Sequence, residues 1–298
     1  MAAKEKIGFV GLGKMGNPMV KRLIEKGYSV TVYDRIKERA KELTAVGASA
    51  ADSSKAVAIS ADVIITMIPD DPAIEAVALG KDGILEGAKE GSVLIDMSTI
   101  SPMASSRVAE GAEKKAVRFL RATVSGSPKF AESGILTIFI SGPEGIYQKC
   151  QTILGTLGQK LFYVGAGEEA RYLKLLINMV VGTTAMVVAE ALTFGEKGGV
   201  DWIKMLDSLA GSVVASPLIG YKVQPLKDRN LPPTFTVSQF AKDFDLALTT
   251  GKALSVPMPI TSTVSQFWRM MKATGRGDLD AWSVVFLMEE LAGLKKPD

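Results

Sequence analysis

The hydrophobic pattern changes character once along this chain, near residue 165. Before that point short apolar runs alternate with segments whose apolar residues recur every three or four positions. The runs at 7–10, 29–33, 61–68, 92–96, 118–124, 136–141 and 160–164 read as strands. The segments at 15–26, 36–46, about 102–115 and 144–157 read as amphipathic helices, as at Met19, Val20, Leu23 and Ile24. Alternation of strand and helix as far as about residue 115 predicts a doubly wound parallel sheet with helices on both faces, which the runs at 136–141 and 160–164 extend. After residue 165 the period of two disappears. Helices are expected at about 170–197, 201–210, 237–250, 261–274 and 281–294, with Pro232, Pro233, Pro257 and Pro259 punctuating the loops. The expected organisation is an α/β domain over 1–164 and an all-α domain over 165–298, joined by the long apolar helix. The expectation for Trp202, Trp268 and Trp282 is core aromatics of the helical part.

The first strand runs into Gly11, Leu12, Gly13, Lys14, Met15 and Gly16, a G-x-G-x-x-G turn that opens a helix. In that setting the first glycine permits the tight turn, the second lets backbone approach a pyrophosphate, and the third lets helix pack closely on strand. Free N–H groups at the helix start favour the ligand's charge. The second strand ends at Asp34, where an acid accepts ribose hydroxyls, so NAD is expected; Arg35 beside it would suit the extra phosphate of NADP. Met67, Ile68 and Pro69 follow the third run and are candidate cofactor neighbours, because ligands in open α/β sheets lie beyond the carboxyl ends of strands.

Composition narrows the chemistry. The 298 residues are 47% apolar, enough for substantial cores, and the net charge of +3 comes from dispersed cations. A small anionic substrate is expected rather than nucleic acid. Histidine is absent, which excludes a Ser-His-Asp hydrolase and histidine-ligated metal; no metal site is expected. Cys150 is the single cysteine, read as a half-buried structural thiol suited to a reducing cytoplasm. No signal-peptide pattern opens the chain. The stretch between Lys174 and Glu190 is apolar but shorter than the roughly 20 residues of a bilayer span, so a core helix and no membrane partner are expected.

On the long helix Gly167, Arg171, Lys174, Asn178 and Gly182 follow at spacings of three or four, which places them on one face. An ammonium and an amide interrupting an apolar helix should face a cleft or a partner. The plainer alternative is that Lys174 snorkels to solvent and Asn178 bonds nearby backbone. With a nicotinamide cofactor and no histidine, Lys174 is the leading proton donor to a carbonyl oxygen. Burial and the neighbouring Arg171 cation would lower its pKa toward the working range, and Asn178 would orient it.

The chain resembles the β-hydroxyacid dehydrogenases over essentially its full length. The resemblance is carried by Gly11-Leu12-Gly13-Lys14-Met15-Gly16, Asp96-Met97-Ser98-Thr99, Val124-Ser125-Gly126, Lys174 with Asn178 and Glu190, and Lys242-Asp243 before Leu246-Ala247-Leu248. It implies a Rossmann-type sheet followed by an all-α domain of the 6-phosphogluconate dehydrogenase kind. It implies that Lys174 is the catalytic lysine, rather than Arg171, and Asn178 its supporting asparagine. Ser125 and Gly126, with Ser127 and Lys129 beside them, would hold the substrate carboxylate. Ser98 and Thr99 would lie between substrate and cofactor, and Lys242 would reach toward the nicotinamide. The implied activity is NAD(P)-dependent interconversion of a small hydroxy acid and its semialdehyde or keto form, in a homodimer or homotetramer. Glu168 and Ala170 stand where the family usually has glycine, and Ser127 replaces its second glycine after the serine, as in the glyoxylate and succinic semialdehyde reductase branch. Two other readings are an imine reductase, whose relatives place an acid or tyrosine where this chain has Lys174, and a cofactor-binding assembly module without catalysis.

Overall fold

Runs that are apolar at nearly every position become the centre of a sheet covered on both faces. The computed structural model describes residues 4–294, and the chain divides into two compact units between Lys174 and Leu175. The first unit holds β1 (Ile7–Val10), β2 (Val30–Tyr33), β3 (Ser49–Ala50), β4 (Val63–Thr66), β5 (Val93–Asp96), β6 (Arg118–Ser125), β7 (Leu136–Ser141) and β8 (Gly158–Gly165). Their order is β3-β2-β1-β4-β5-β6-β7-β8. Every residue of β1, β4 and β5 is buried, as a parallel strand with helices on both sides requires. Alternate residues serve opposite faces: Ile65 and Ile95 pack with Phe9, Met19 and Leu23, whereas Ile64 and Leu94 pack with Val57, Ile74 and Val108.

The helices of this unit are α1 (Gly16–Glu25), α2 (Lys37–Thr44), α3 (Ser54–Ser60), α4 (Asp71–Leu79), α5 (Ile84–Gly87), α6 (Pro102–Lys114), α7 (Pro128–Ser133) and α8 (Glu144–Leu157). The chain builds β1, β2 and β3 outward, then crosses to place β4 on the other side of β1. That reversal opens the crevice at the carboxyl ends of β1 and β4, the position where doubly wound sheets take ligands.

The next helix, α9 (Glu169–Lys197), begins in the first unit and continues into the second. Leu175, Ala185, Met186, Val188, Ala189 and Leu192 are buried along it. Among the described residues it is the one helix long and apolar enough to cross a membrane by length and composition. The second unit continues with α10 (Trp202–Gly211), α11 (Pro217–Lys227), α12 (Val237–Ala253), α13 (Pro259–Ala273), a 3-10 turn (Ala281–Ser283) and α14 (Val284–Leu291). In its core Phe240 stacks on Trp268 and Phe244 meets both rings edge-on, and the same core takes in Trp282 and, partly buried, Trp202. A buried ion pair, Lys222 Nζ to Asp280 Oδ1 at 2.8 Å, ties α11 to the 3-10 turn.

Several expectations need correcting. The strands of the alternating part pair in parallel as expected, and the extension of the sheet beyond them brings in an antiparallel pair, β6 with β7. The ten residues between Ser125 and Leu136 are too few for a parallel crossover, which needs about a dozen or more. Helices α3, α4, α5 and α7 escaped the sequence reading because segments of four to nine residues show barely two turns of period. Helix α11 escaped it because Pro225 interrupts its pattern. The predicted helix at 281–294 is a 3-10 turn followed by a shorter α-helix. Cys150 is fully rather than half buried, at 2% exposure in the core on which α8 packs.

Candidate active site

The glycine-rich turn does three different things at its three glycines. Gly11 adopts φ +97°, and a Cβ there would fall 2.9 Å from the Met67 carbonyl carbon and 2.8 Å from Ile68 Cγ2, so the turn lies against the strand end that follows β4. At Gly16 a Cβ would overlap the carbonyl oxygen of Gly11, which lets α1 sit directly on β1. At Gly13 a Cβ would meet nothing within 4 Å. That open face is what a pyrophosphate approaching backbone requires. No side chain caps α1, and its first turn carries no acid, so its N–H groups stay available to an anion. These residues fit a dinucleotide. Lys14 is exposed beside them and Met15 is half-buried, packing on the core of the first unit.

Asp34 follows β2 and is held rigidly. Its Oδ2 accepts the Leu12 N–H at 2.7 Å and its Oδ1 accepts the Ile36 N–H at 2.9 Å. Arg35 is exposed; the cation that meets Asp34 is Arg39, 3.4 Å away and one turn into α2. Sequence reading missed Arg39, although its place five residues after the acid, on a helix starting at the strand end, was a usable signal. Met67 and Ile68 are half-buried and Pro69 is exposed. The Met67 N–H donates to Val10 O at 2.9 Å, which brings the ends of β1 and β4 together.

Asp96, at the carboxyl end of β5, organises the next group. It is fully buried and accepts from Thr66 Oγ1 at 2.5 Å and Ser98 Oγ at 2.7 Å on one oxygen. The other oxygen accepts from Arg171 Nη2 at 2.5 Å. Ser98 Oγ also accepts the Ile68 N–H at 2.9 Å. The Ser98 hydroxyl is therefore engaged inside the turn, donating to Asp96 and accepting from Ile68. Thr99 beside it is half-buried. Ser125 and Ser127 are half-buried, while Gly126 and Lys129 are exposed, where β6 gives way to α7.

Arg171 also departs from expectation. Its side chain is completely buried, and it donates to Ser98 O at 2.8 Å and Ser105 Oγ at 3.1 Å in addition to Asp96. Its charge is balanced by Asp96, so it does not stand beside Lys174 as a free cation. Gly167 lies before the helix rather than on its face, and its carbonyl accepts from Ser141 Oγ at 2.8 Å. Glu168, where the family usually has glycine, pairs with Arg121 on β6, with Arg121 Nε 3.0 Å from Glu168 Oε1. The departure is matched by a partner. Lys174, one turn beyond Arg171, is buried at 9% exposure and makes contacts of its own.

In the second unit Asn178 and Asp243 are both buried, and Asn178 Nδ2 donates to Asp243 Oδ2 at 2.6 Å. Lys242 Nζ lies 2.9 Å from Asp243 Oδ1. The amide of Asn178 is thus oriented by Asp243, a carboxylate the sequence reading had only as part of a motif. The first unit assembles the glycine turn, Asp34, the strand-end residues, Ser98, Thr99, Ser125 to Lys129 and Lys174; the second assembles Asn178 and Lys242 on Asp243.

Two family models match consecutive parts of the chain. Residues 6–165 match the NAD binding domain of 6-phosphogluconate dehydrogenase, and residues 165–288 match the NAD-binding domain of NADP-dependent 3-hydroxyisobutyrate dehydrogenase. The chain belongs to the β-hydroxyacid dehydrogenase family. This dehydrogenase is 36% identical to the mitochondrial 3-hydroxyisobutyrate dehydrogenase of Rattus norvegicus, covering 97% of this chain and 89% of that protein. It is 32% identical to glyoxylate/succinic semialdehyde reductase 1 of Arabidopsis thaliana, over 94% of this chain and 96% of that protein. Among solved structures it is similar to a Mycobacterium tuberculosis 3-hydroxyisobutyrate dehydrogenase in a structure with L-serine, at TM-score 0.88 and 26% identity, covering 96% and 99% of the two chains. It is an NAD(P)-dependent oxidoreductase, and the open face at Gly13 with the fixed Asp34 is where its own residues fit that cofactor.

Proposed function

We propose that this dehydrogenase interconverts a small hydroxy acid and its semialdehyde or keto form, with Lys174 exchanging the proton at the substrate oxygen. The observation that carries the reading is a buried lysine one helical turn from Arg171, which is tied to the carboxyl end of β5 in the unit that holds the glycine turn. When bound, the nicotinamide carries the hydride. The chain's own residues do the rest. Lys174 in its neutral form takes the hydroxyl proton during oxidation and returns it to the carbonyl oxygen during reduction. Ser125, with the Gly126 N–H and Lys129, anchors the carboxylate, and Thr99 lies beside the cofactor. Ser98 holds the turn through Asp96 and Ile68, between cofactor and substrate. Within the second unit Asp243 presents the Asn178 amide and pairs with Lys242.

The fixed Asp34 carboxylate supports NAD over NADP, since a 2′-phosphate would meet its negative charge. Arg39 offers that phosphate a counter-charge, so NADP is the secondary cofactor. Comparing turnover with the two reduced cofactors tests this, and a strong NADPH preference overturns it. A homo-oligomer is supported by Leu176, Val180, Val187 and Phe194, exposed apolar residues at spacings of four and seven on α9. Light scattering on the purified protein gives the subunit number, and a monomer at working concentration refutes it.

The main test follows cofactor absorbance while semialdehydes, glyoxylate and cyclic imines are offered. Oxidation with a carbonyl acid is expected. Lys174→Ala should retain cofactor binding and lose on the order of a hundred- to ten-thousand-fold in turnover. Near-normal turnover in that variant defeats the assignment. Turnover of imines alone would favour an imine reductase, and cofactor binding without turnover of any substrate an assembly module.

A further inference from the structure

We propose that Arg171 is the positioning residue for Lys174, its guanidinium setting the rotation of the helical turn that carries the amine. This rests on the assignment of Lys174 to proton transfer made above. Arg171 gives three directed bonds, to Asp96 Oδ2, Ser98 O and Ser105 Oγ, and its side chain has no exposed surface. A planar guanidinium satisfied by three acceptors on two different segments is held in direction as well as in position. The acceptor side is equally fixed. Asp96 is held by Thr66 at the end of β4 and by Ser98, which in turn takes the Ile68 N–H. Arg171 therefore ties α9 to the strand ends on which the glycine turn packs.

Three further ties to this helix lie upstream. Thr123 Oγ1 donates to Ala170 O at 3.0 Å, Ser141 Oγ accepts the Ala170 N–H at 3.2 Å, and Arg121 holds Glu168. They fix where the helix starts. Arg171 is the last tie before Lys174, and residues three apart on a helix are neighbours on its surface. Helical side chains lean toward the N-terminus, so the stem of Lys174 extends over the turn that Arg171 secures. A fully buried ion pair adds little net stability compared with apolar residues of the same volume, so geometry is what this one contributes. A helix rotation of about 10° moves a group about 6 Å from the axis by about 1 Å. A misplacement of that size costs on the order of a hundredfold in rate.

The test uses Arg171→Lys, which keeps the charge but loses the fork, and Arg171→Met with Asp96→Asn, which removes the buried charges together should the single variant fold poorly. Each is measured for dinucleotide affinity, substrate KM, kcat, the pH profile of kcat, and amide hydrogen exchange of the cofactor-free protein. Arg171→Lys is expected to lower kcat about 10- to 100-fold, to displace the apparent pKa of the kcat profile, and to leave dinucleotide affinity and KM within about twofold. Exchange at residues 172–178 should quicken at least about tenfold while β4 and β5 are unchanged. An unaltered kcat and pH profile with only a lowered melting temperature would overturn the proposal, leaving Arg171 a structural residue. Unaltered exchange at 172–178 overturns it as well. Lys174→Ala is run alongside: if that variant keeps its turnover, the proton-transfer assignment is what fails, and the exchange data still decide whether Arg171 holds the turn.

Discussion

Adding one methyl group at either of two glycines three residues apart should separate folding from cofactor binding. At Gly16 the added carbon would overlap the Gly11 carbonyl oxygen and sit 3.0 Å from its carbon and 3.1 Å from Phe9 Cε1, all rigid neighbours. Overpacking of this kind costs about 1–3 kcal/mol, and the better helix propensity of alanine returns up to about 1 kcal/mol. Because the overlapped neighbours are backbone the cost lies toward the upper end of that range, and a net loss of about 1–2 kcal/mol in a domain of this size lowers the melting temperature by about 2–8 °C. At Gly13 no atom lies within 4 Å of the added carbon, and the backbone is outside the left-handed region. Gly13→Ala should therefore leave the cofactor-free protein unchanged or stabilise it by about 0.4–1 kcal/mol through the unfolded chain. The same methyl would occupy the space that a pyrophosphate needs, weakening dinucleotide binding at least about tenfold, or 1.4 kcal/mol. Thermal unfolding without cofactor and a fluorescence titration with it give both quantities for both variants. Wild-type affinity in Gly13→Ala, or a wild-type melting temperature in Gly16→Ala, would refute the division of labour in the turn.

Two further outcomes concern groups away from the site. Burial, reinforced by the charge of Glu5, pushes the Cys150 thiol up to about 11, so at pH 8 the folded protein should react with a disulfide reagent on the order of a hundredfold more slowly than a free thiol; labelling at the unfolded rate would contradict this. Burial, and then the charge of Glu289, raise the Glu196 carboxyl above its usual value despite Arg229. The folded protein holds that proton more tightly than the unfolded chain, so this group's contribution to stability worsens as pH rises through its folded value and improves as pH falls toward 4.5. Glu196→Gln should raise the melting temperature at pH 7 and flatten its slope between there and pH 4.5; an unchanged slope would rule out Glu196 as its source.

Local periodicity sufficed for the elements that are long or doubly buried. The strands over 7–10 and 92–96 and the helix over 170–197 are each legible because an apolar pattern runs through most of their length. The glycine turn was legible because glycine is the one residue whose absence of a side chain is itself the signal. Helices α3, α5 and α7 were not, since pieces of four to seven residues are stabilised by what they pack on rather than by a period of their own. The site divided similarly. Lys174 and Asn178 stood out as polar interruptions of an apolar helix. Arg171 interrupts the same helix in the same way, and nothing in its spacing says that it points inward to Asp96.

What the sequence by itself determined was chemical inventory and spacing: a glycine-rich turn between strand and helix, an acid after the second strand, no histidine, and a lysine with an asparagine four residues on. These depend only on residue type and local geometry. Tertiary structure alone decided which oxygens and nitrogens were already taken. Asp96 and Arg171 lie 75 positions apart and neutralise one another; Ser98 takes the Ile68 N–H from 30 positions away; Asp243 turns the Asn178 amide from 65 positions away. Each is a pairing of buried polar groups between distant segments. The cost of leaving such a group unpaired depends on which strands and helices the fold brings together, and one-dimensional spacing carries no record of that.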